Sequence, residues 1–106
     1  MNTTRALLLA LVLAPLPALA AQEVVVTQKD KAFSSKAITI KAGDKVTFKN
    51  EDTFSHNIFS LTDAQPFDLG TFGNGQAKSV TYAKPGKYEV ECAIHPDMHL
   101  TVTVTP

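Results

Sequence analysis

Short runs of alternating apolar and polar residues dominate the chain after its first twenty residues, and no helical periodicity appears there. Residues 24–27 form a β-branched run, and residues 46–49 and 100–104 alternate position by position. Turn-forming Gly, Pro, Asn and Asp residues separate these runs. The pattern predicts an all-β domain, a Greek-key β-sandwich or barrel of seven to eight short strands.

Three segments in the second half of the chain matter for the later argument: a strand that ends near Cys92, a segment that begins at His56, and residues 62–75. Residues 87–93 place Tyr88, Val90 and Cys92 on one face of a strand that ends near Cys92. His56 opens a short apolar segment after the polar residues 50–55. Residues 62–75 contain three glycines and a proline, and this composition predicts a segment that is largely loop.

The first twenty residues, MNTTRALLLALVLAPLPALA, have the pattern of a secretory signal peptide. Arg5 is their only charge, an apolar run follows, and Ala18-Leu19-Ala20 supplies the small residues of a cleavage site. The apolar run is well short of the ~20 residues that span a bilayer. We therefore predict a cleaved signal at residues 1–20, a mature domain at 21–106 with no membrane segment, and export to the periplasm.

The charge balance narrows the classes of partner. The 106 residues carry 10 basic and 10 acidic side chains, so the formal net charge is zero. No basic excess exists to bind a phosphate backbone, and a nucleic-acid partner is not expected. The length corresponds to one domain.

Cys92 is the single cysteine, so no internal disulfide can form. In an exported protein such a thiol has three interpretations. It is an inert buried side chain, a nucleophile, or a metal thiolate.

The neighbours of Cys92 favour a metal. Cys92, His95 and Met98 lie within seven residues, in a tight loop between two predicted strands, and a sandwich can bring His56 against that loop. A trigonal site of two His and one Cys with a weak axial Met is the blue-copper electron-transfer arrangement. A structural zinc site normally has four strong ligands, which this chain does not offer.

The chain resembles the cupredoxins, the type 1 blue copper proteins, and most closely their plastocyanin/amicyanin branch. The resemblance rests on residues 41–50, on residues 52–57, and on Lys84-Pro85-Gly86 leading to the short Cys-x-x-His-x-x-Met motif at 92–98. It implies one copper ion per chain, cycling between Cu(II) and Cu(I). By resemblance the ligands are His56, Cys92, His95 and, axially, Met98.

The resemblance also assigns roles around the metal. Asn57 matches the family asparagine that ties the two ligand loops together and helps to orient amide hydrogen bonds at the cysteine sulfur. Many relatives carry Ser or Thr where this chain has Ala93, so that hydroxyl contact is expected to be missing, with a backbone contact able to remain.

Two further assignments concern the surface around the site. Phe67, Phe72 and Pro96 are candidates for an apolar rim around His95, although the two phenylalanines fit a core position equally well. His99 follows an inward Met98 and should face solvent by strand alternation.

The function implied is single-electron transfer in the periplasm by a monomer that catalyses no reaction on a substrate. Transient partners would include a c-type cytochrome and a periplasmic dehydrogenase. The main alternative is a periplasmic protein that binds, stores or delivers copper. A Cys/His enzyme and an Ig-like binding module with a buried cysteine explain less of the ligand pattern.

Overall fold

Nine strands make up the described part of the chain. A computed structural model describes residues 20–106, so all of the predicted signal peptide except Ala20 lies outside the described residues. The strands are β1 (Glu23–Lys29), β2 (Ala32–Phe33), β3 (Ala37–Lys41), β4 (Lys45–Asn50), β5 (His56–Ser60), β6 (Phe67–Phe72), β7 (Ala77–Thr81), β8 (Gly86–Cys92) and β9 (His99–Thr105).

The strands form two sheets that face each other. One sheet has the order β2-β1-β4-β7 and the other has the order β3-β9-β8-β5-β6. The pairs β1–β4 and β3–β9 are parallel, and the remaining pairs are antiparallel. Because strands distant in sequence are neighbours, the chain crosses repeatedly between the sheets. The prediction of an all-β sandwich is confirmed.

The strand count is higher than predicted, and one element was misjudged. Strand β6 occupies residues that the glycine and proline content had predicted to be largely loop. Phe67, Leu69 and Phe72 pack against or within the core, and Gly70 takes a φ of +71° inside the strand. Packing of apolar side chains and antiparallel pairing with β5 therefore stabilise a strand here, although the glycine and proline content favours a loop.

Alternating side chains from both sheets fill the space between them. Each large apolar side chain buried in this way contributes about 1.5–3 kcal/mol relative to exposure. The buried apolar residues are Val26, Ile40, Val46, Phe48, Ile58, Phe72, Val80, Tyr82, Tyr88, Val90, Cys92, Met98, Leu100, Val102 and Val104.

Several loops meet at one end of the sandwich, here called the ligand end: the turn at residues 30–31, residues 51–55, residues 73–76 and residues 93–98. The strand registers place them together, since the end of β1 pairs with the end of β4 and Cys92 pairs with the middle of β5. At the opposite end, the Tyr88 hydroxyl donates to the Lys84 carbonyl over 2.6 Å. Within residues 20–106, no helix has the length and apolar character needed to cross a membrane.

Candidate metal centre

Three of the four predicted ligands come together at the ligand end. His56 is the first residue of β5, and Cys92 is the last residue of β8. These strands are hydrogen-bonded neighbours, with Ile58 opposite Cys92, so the sheet itself holds the two side chains close. His95 is added by the loop at residues 93–98, which connects β8 to β9.

The ligand atoms of this group converge on one point. One atom each from His56, Cys92 and His95 lies within 4.8 Å of the other two. The Sγ atom of Cys92 is 3.5 Å from Nδ1 of His56 and 3.8 Å from Nδ1 of His95. His56 and Cys92 are buried and His95 is half-buried. A thiolate and two imidazole nitrogens in this arrangement form the trigonal donor set of a blue-copper site.

Met98 occupies a buried position at the end of the same loop, with 1% of its surface exposed. Its amide donates to the His95 carbonyl over 3.0 Å and so closes the loop into a turn. The burial is compatible both with an axial ligand and with a core side chain. Axial ligation by Met98 therefore stays a prediction.

The Cys92 thiol is held by the main chain of Asn57. The Asn57 amide lies 3.4 Å from Sγ and points its hydrogen at the sulfur, while the Ala93 amide donates to the Asn57 carbonyl over 3.0 Å. These are backbone contacts of the kind that the sequence left possible in the absence of a hydroxyl at position 93. The side-chain oxygen Oδ1 of Asn57 is buried and has no hydrogen-bond partner among residues 20–106.

Asp52 is a functional residue that the sequence analysis did not identify. Its Oδ2 atom lies 2.7 Å from Nε2 of His56, and both side chains are buried. Because a carboxylate only accepts hydrogen bonds, Nε2 of His56 carries the proton, and Nδ1 is left free to bind a metal. The available sequence signal was a carboxylate in the loop that directly precedes a candidate ligand histidine.

Opposing effects act on the pKa of Asp52. Burial raises the pKa of this carboxyl group, but hydrogen bonds from His56 and from the amides of Asp30 and Lys31 lower it. The net result is a pKa below the ordinary aspartate value, so the carboxylate is charged at neutral pH.

The loop that carries Asp52 is fixed by Asn50, a buried side chain at the end of β4. The Nδ2 group of Asn50 donates to the carbonyls of Phe54 and Phe72, at 2.8 Å and 3.0 Å. Its Oδ1 atom accepts from the Asp52 amide at 2.8 Å. The loop is thus held in place by satisfied hydrogen bonds before any metal arrives.

The aromatic residue beside His95 is Phe54, whose ring centroid lies 5.2 Å from that of His95 and which is 38% exposed. The sequence left Phe67 and Phe72 open between this rim and the core, and the structure places both with the core. Phe72 is a buried core residue opposite His56, and Phe67 packs on Tyr82 toward the other end of the sandwich. Pro96 does lie beside His95, lining the same small surface pocket.

His99 lies outside this cluster. It is exposed, as strand alternation predicted, and its Nε2 atom contacts the Glu89 carboxylate on the neighbouring strand.

Comparison with known proteins identifies the family. The sequence model of the copper binding proteins of the plastocyanin/azurin family matches residues 20–105. The chain belongs to this family. Because the family binds copper, copper is the metal assigned to the donor set of His56, Cys92 and His95. A soft thiolate and two imidazoles are suitable ligands for copper.

Plastocyanins and amicyanin are among the similar proteins. The chloroplastic plastocyanin of Physcomitrium patens is 33% identical over 82 residues, which cover 69% of this chain and 49% of that protein. Plastocyanin A/B of Petroselinum crispum is 33% identical over 72 residues, covering 59% of this chain and 74% of the relative. The structure of a reduced amicyanin variant has a TM-score of 0.73 at 26% identity, covering 82% of this chain and 86% of amicyanin.

An enzyme also contains a similar domain. The copper-containing nitrite reductase of Thermus scotoductus SA-01 gives a TM-score of 0.75 at 30% identity, covering 84% of this chain. The match spans only 24% of the reductase chain. This chain therefore corresponds to one part of that enzyme, just as it spans about half the length of the Physcomitrium patens plastocyanin.

Proposed function

We propose that the protein carries single electrons in the periplasm through a mononuclear type 1 copper site. The ligands would be His56, Cys92 and His95, with Met98 as the axial ligand. The observation that carries the proposal is the convergence of Sγ and two Nδ1 atoms on one point at the ligand end. When bound, copper supplies a one-electron Cu(II)/Cu(I) couple.

The chain's own residues make this site rigid. His56 and Cys92 are strand residues, Asp52 orients the His56 ring, and the Asn57 amide points at the thiolate. Ligands that are fixed in this way need not rearrange when the charge at the site changes, and little reorganisation favours rapid electron transfer. The buried positions of His56 and Cys92 also exclude water from the thiolate.

His95 is the ligand through which we propose that electrons enter and leave. It is the half-buried member of the group and lies against the exposed residues Phe54 and Ile94. A small surface of this type suits partners that bind weakly and dissociate quickly. The proposed partners are a c-type cytochrome and a periplasmic dehydrogenase, and the chain acts as a monomer.

We propose that the chain catalyses no reaction on a substrate. Within residues 20–106, His56, Cys92 and His95 form the single cluster of three or more His, Cys, Asp or Glu residues placed to hold a metal ion. The remaining histidine, His99, is on the surface with Glu89. A copper enzyme that reduces nitrite needs a second copper site, for which this part of the chain lacks the histidines.

Voltammetry of the copper-loaded mature protein tests the proposal. We expect a reversible one-electron wave that persists over many cycles, with copper released only slowly to a Cu(I) chelator. An irreversible wave with rapid loss of copper to the chelator would contradict electron transfer and favour copper storage or delivery. Periplasmic fractionation of cells expressing the full chain tests the location, and we expect the cleaved protein in the periplasmic fraction. Retention of an uncleaved chain in the cytoplasm would contradict the proposed location.

A further inference from the structure

The turn between β1 and β2 is part of the surroundings of the metal centre. Asp30 and Lys31 both have positive φ, 52° and 59°, a conformation that two-residue hairpin turns require and that Asn and Gly adopt more readily. The Asp52 carboxylate accepts hydrogen bonds from both amides, at 2.7 Å from Asp30 and 3.3 Å from Lys31. The carboxylate that orients His56 therefore also fixes this turn.

Fixing the turn places the Lys31 side chain at the edge of the site. Its ammonium group lies over the Phe54 ring, 5.9 Å from the centroid, and the same ring packs on His95. Lys31 and Asp97 are the two charged residues lining a shallow pocket of about 280 Å³, together with Ile94, His95 and Pro96. A positive and a negative charge thus flank the exposed edge of His95.

We propose that Lys31 and Asp97 orient the redox partner on His95, an inference that rests on the proposed function. The partner is a redox protein that places an acidic side chain opposite Lys31 and a basic side chain opposite Asp97, on either side of its own exposed cofactor. An apolar centre with a charged rim is the usual anatomy of a protein interface.

The charge of the whole chain supports this assignment. Without Arg5 of the predicted signal peptide, the mature domain has nine Lys against ten Asp and Glu, a formal net charge of −1, so its net charge provides only a weak overall field to steer a partner. Charges close to the docking point therefore determine the orientation, and complementary pairs at an interface act mainly on association rate and specificity. The Lys31 ammonium group lies within cation–π distance of the Phe54 ring, which favours its position at this edge.

Oxidation of the reduced copper protein by two small probes of opposite charge tests the proposal. The probes are the hexacyanoferrate(III) anion and the tris(1,10-phenanthroline)cobalt(III) cation, mixed in a stopped-flow instrument. We expect Lys31→Gln to lower the rate of oxidation by the anion roughly five-fold at about 10 mM ionic strength and to raise the rate of oxidation by the cation. Both effects should shrink below about two-fold at 1 M, where salt screens the charges. Asp97→Asn should act in the opposite direction with each probe.

Two matched variants control for the loss of a surface charge. Lys84→Gln and Asp63→Asn remove the same charges from exposed residues at the opposite end of the sandwich and should change both rates clearly less than Lys31→Gln and Asp97→Asn do, because the charges are farther from His95. The reduction potential of every variant is measured as well. A changed driving force for electron transfer can then be separated from a changed rate of association between protein and probe.

The outcomes separate this inference from the proposed function. If the wild-type protein exchanges electrons with neither probe, the proposed function fails. If it exchanges electrons but the Lys31 and Asp97 variants behave like their controls, the orienting role is wrong and electron transfer stands. Self-association that disappears in Lys31→Gln would also overturn the inference, because this edge would then bind a second copy of the chain.

Discussion

The Asp52 carboxylate lies 2.7 Å from Nε2 of His56, on the side of the imidazole ring away from the Cys92 sulfur. The two contacts give the ring nitrogens different tasks, since Nε2 donates to the carboxylate and Nδ1 faces the thiolate. A buried carboxylate in this position fixes both the tautomer and the orientation of a ligand histidine before metal binding.

The first prediction concerns this pair. Asp52→Ala should lower copper affinity by roughly 10- to 100-fold, the usual effect of losing a hydrogen-bond partner behind a ligand histidine. The substitution also releases the amides of Asp30 and Lys31. Competition with a copper chelator measures the affinity. Glu51→Gln removes the adjacent exposed carboxylate and should have no effect, so equal affinities for the two variants would refute the role of Asp52.

The second prediction concerns the unpartnered oxygen of Asn57. The Ala93 amide already donates to the Asn57 carbonyl, so we expect a hydroxyl at position 93 to reach this buried atom and donate to it, and Ala93→Ser should then raise the free energy of unfolding by about 1 kcal/mol. Urea unfolding of the copper-free protein measures the change. The matched experiment is Ala93→Ser in an Asn57→Ala background, where the gain should vanish. A gain that persists there would show that the serine acts elsewhere.

The third prediction separates a ligand from a core side chain at Met98. Leucine conserves most of the side-chain volume, so Met98→Leu should change the stability of the copper-free protein by less than about 1.5 kcal/mol. The loss of an axial sulfur should nevertheless shift the reduction potential, because the axial ligand tunes blue-copper sites. Voltammetry of the copper protein measures the potential. An unchanged potential would assign Met98 to the core alone.

The fourth prediction compares two buried tyrosines, Tyr82 and Tyr88, whose ring centroids lie 4.9 Å apart. The Tyr88 hydroxyl donates to the Lys84 carbonyl, whereas the Tyr82 hydroxyl is buried with no partner among the described residues, and burial raises its pKa. Tyr88→Phe should cost about 1 kcal/mol of stability, and Tyr82→Phe should be neutral or stabilising. Thermal or urea unfolding checks both, and a larger loss for Tyr82→Phe would contradict the hydrogen-bond assignment.

Local sequence signals were sufficient for much of the fold and for part of the ligand cluster. Alternation predicted the strand that ends at Cys92, an apolar segment indicated the strand that begins at His56, and the short spacing from Cys92 to His95 predicted a common loop, because these are properties of a few adjacent residues. The place of His56 beside that loop came from the predicted sandwich and from the family resemblance, since 36 residues separate His56 from Cys92. Strand β6 was missed because its stability comes from pairing with β5 and from packing of Phe72, neither of which is local in sequence.

The residues that surround the metal centre could not be predicted from the sequence, because contacts between distant parts of the chain bring them together. The Asp52 carboxylate joins His56 to the turn at Asp30 and Lys31, which lies more than twenty residues away in sequence. The aromatic neighbour of His95 is Phe54 and not Phe67 or Phe72, because the loop held by Asn50 turns Phe54 toward the metal centre. Alternation alone cannot decide whether the loop residue Phe54 or the β6 residues Phe67 and Phe72 will lie beside His95.

The central claim is that Cys92 binds copper as a thiolate together with His56 and His95. The most direct test is the visible absorption spectrum of the mature protein with one equivalent of Cu(II), recorded before and after ascorbate and compared with Cys92→Ser. The account predicts an intense blue thiolate-to-copper band that bleaches on reduction, returns on reoxidation and is lost in Cys92→Ser. A pale or absent band in the folded wild-type protein would contradict it.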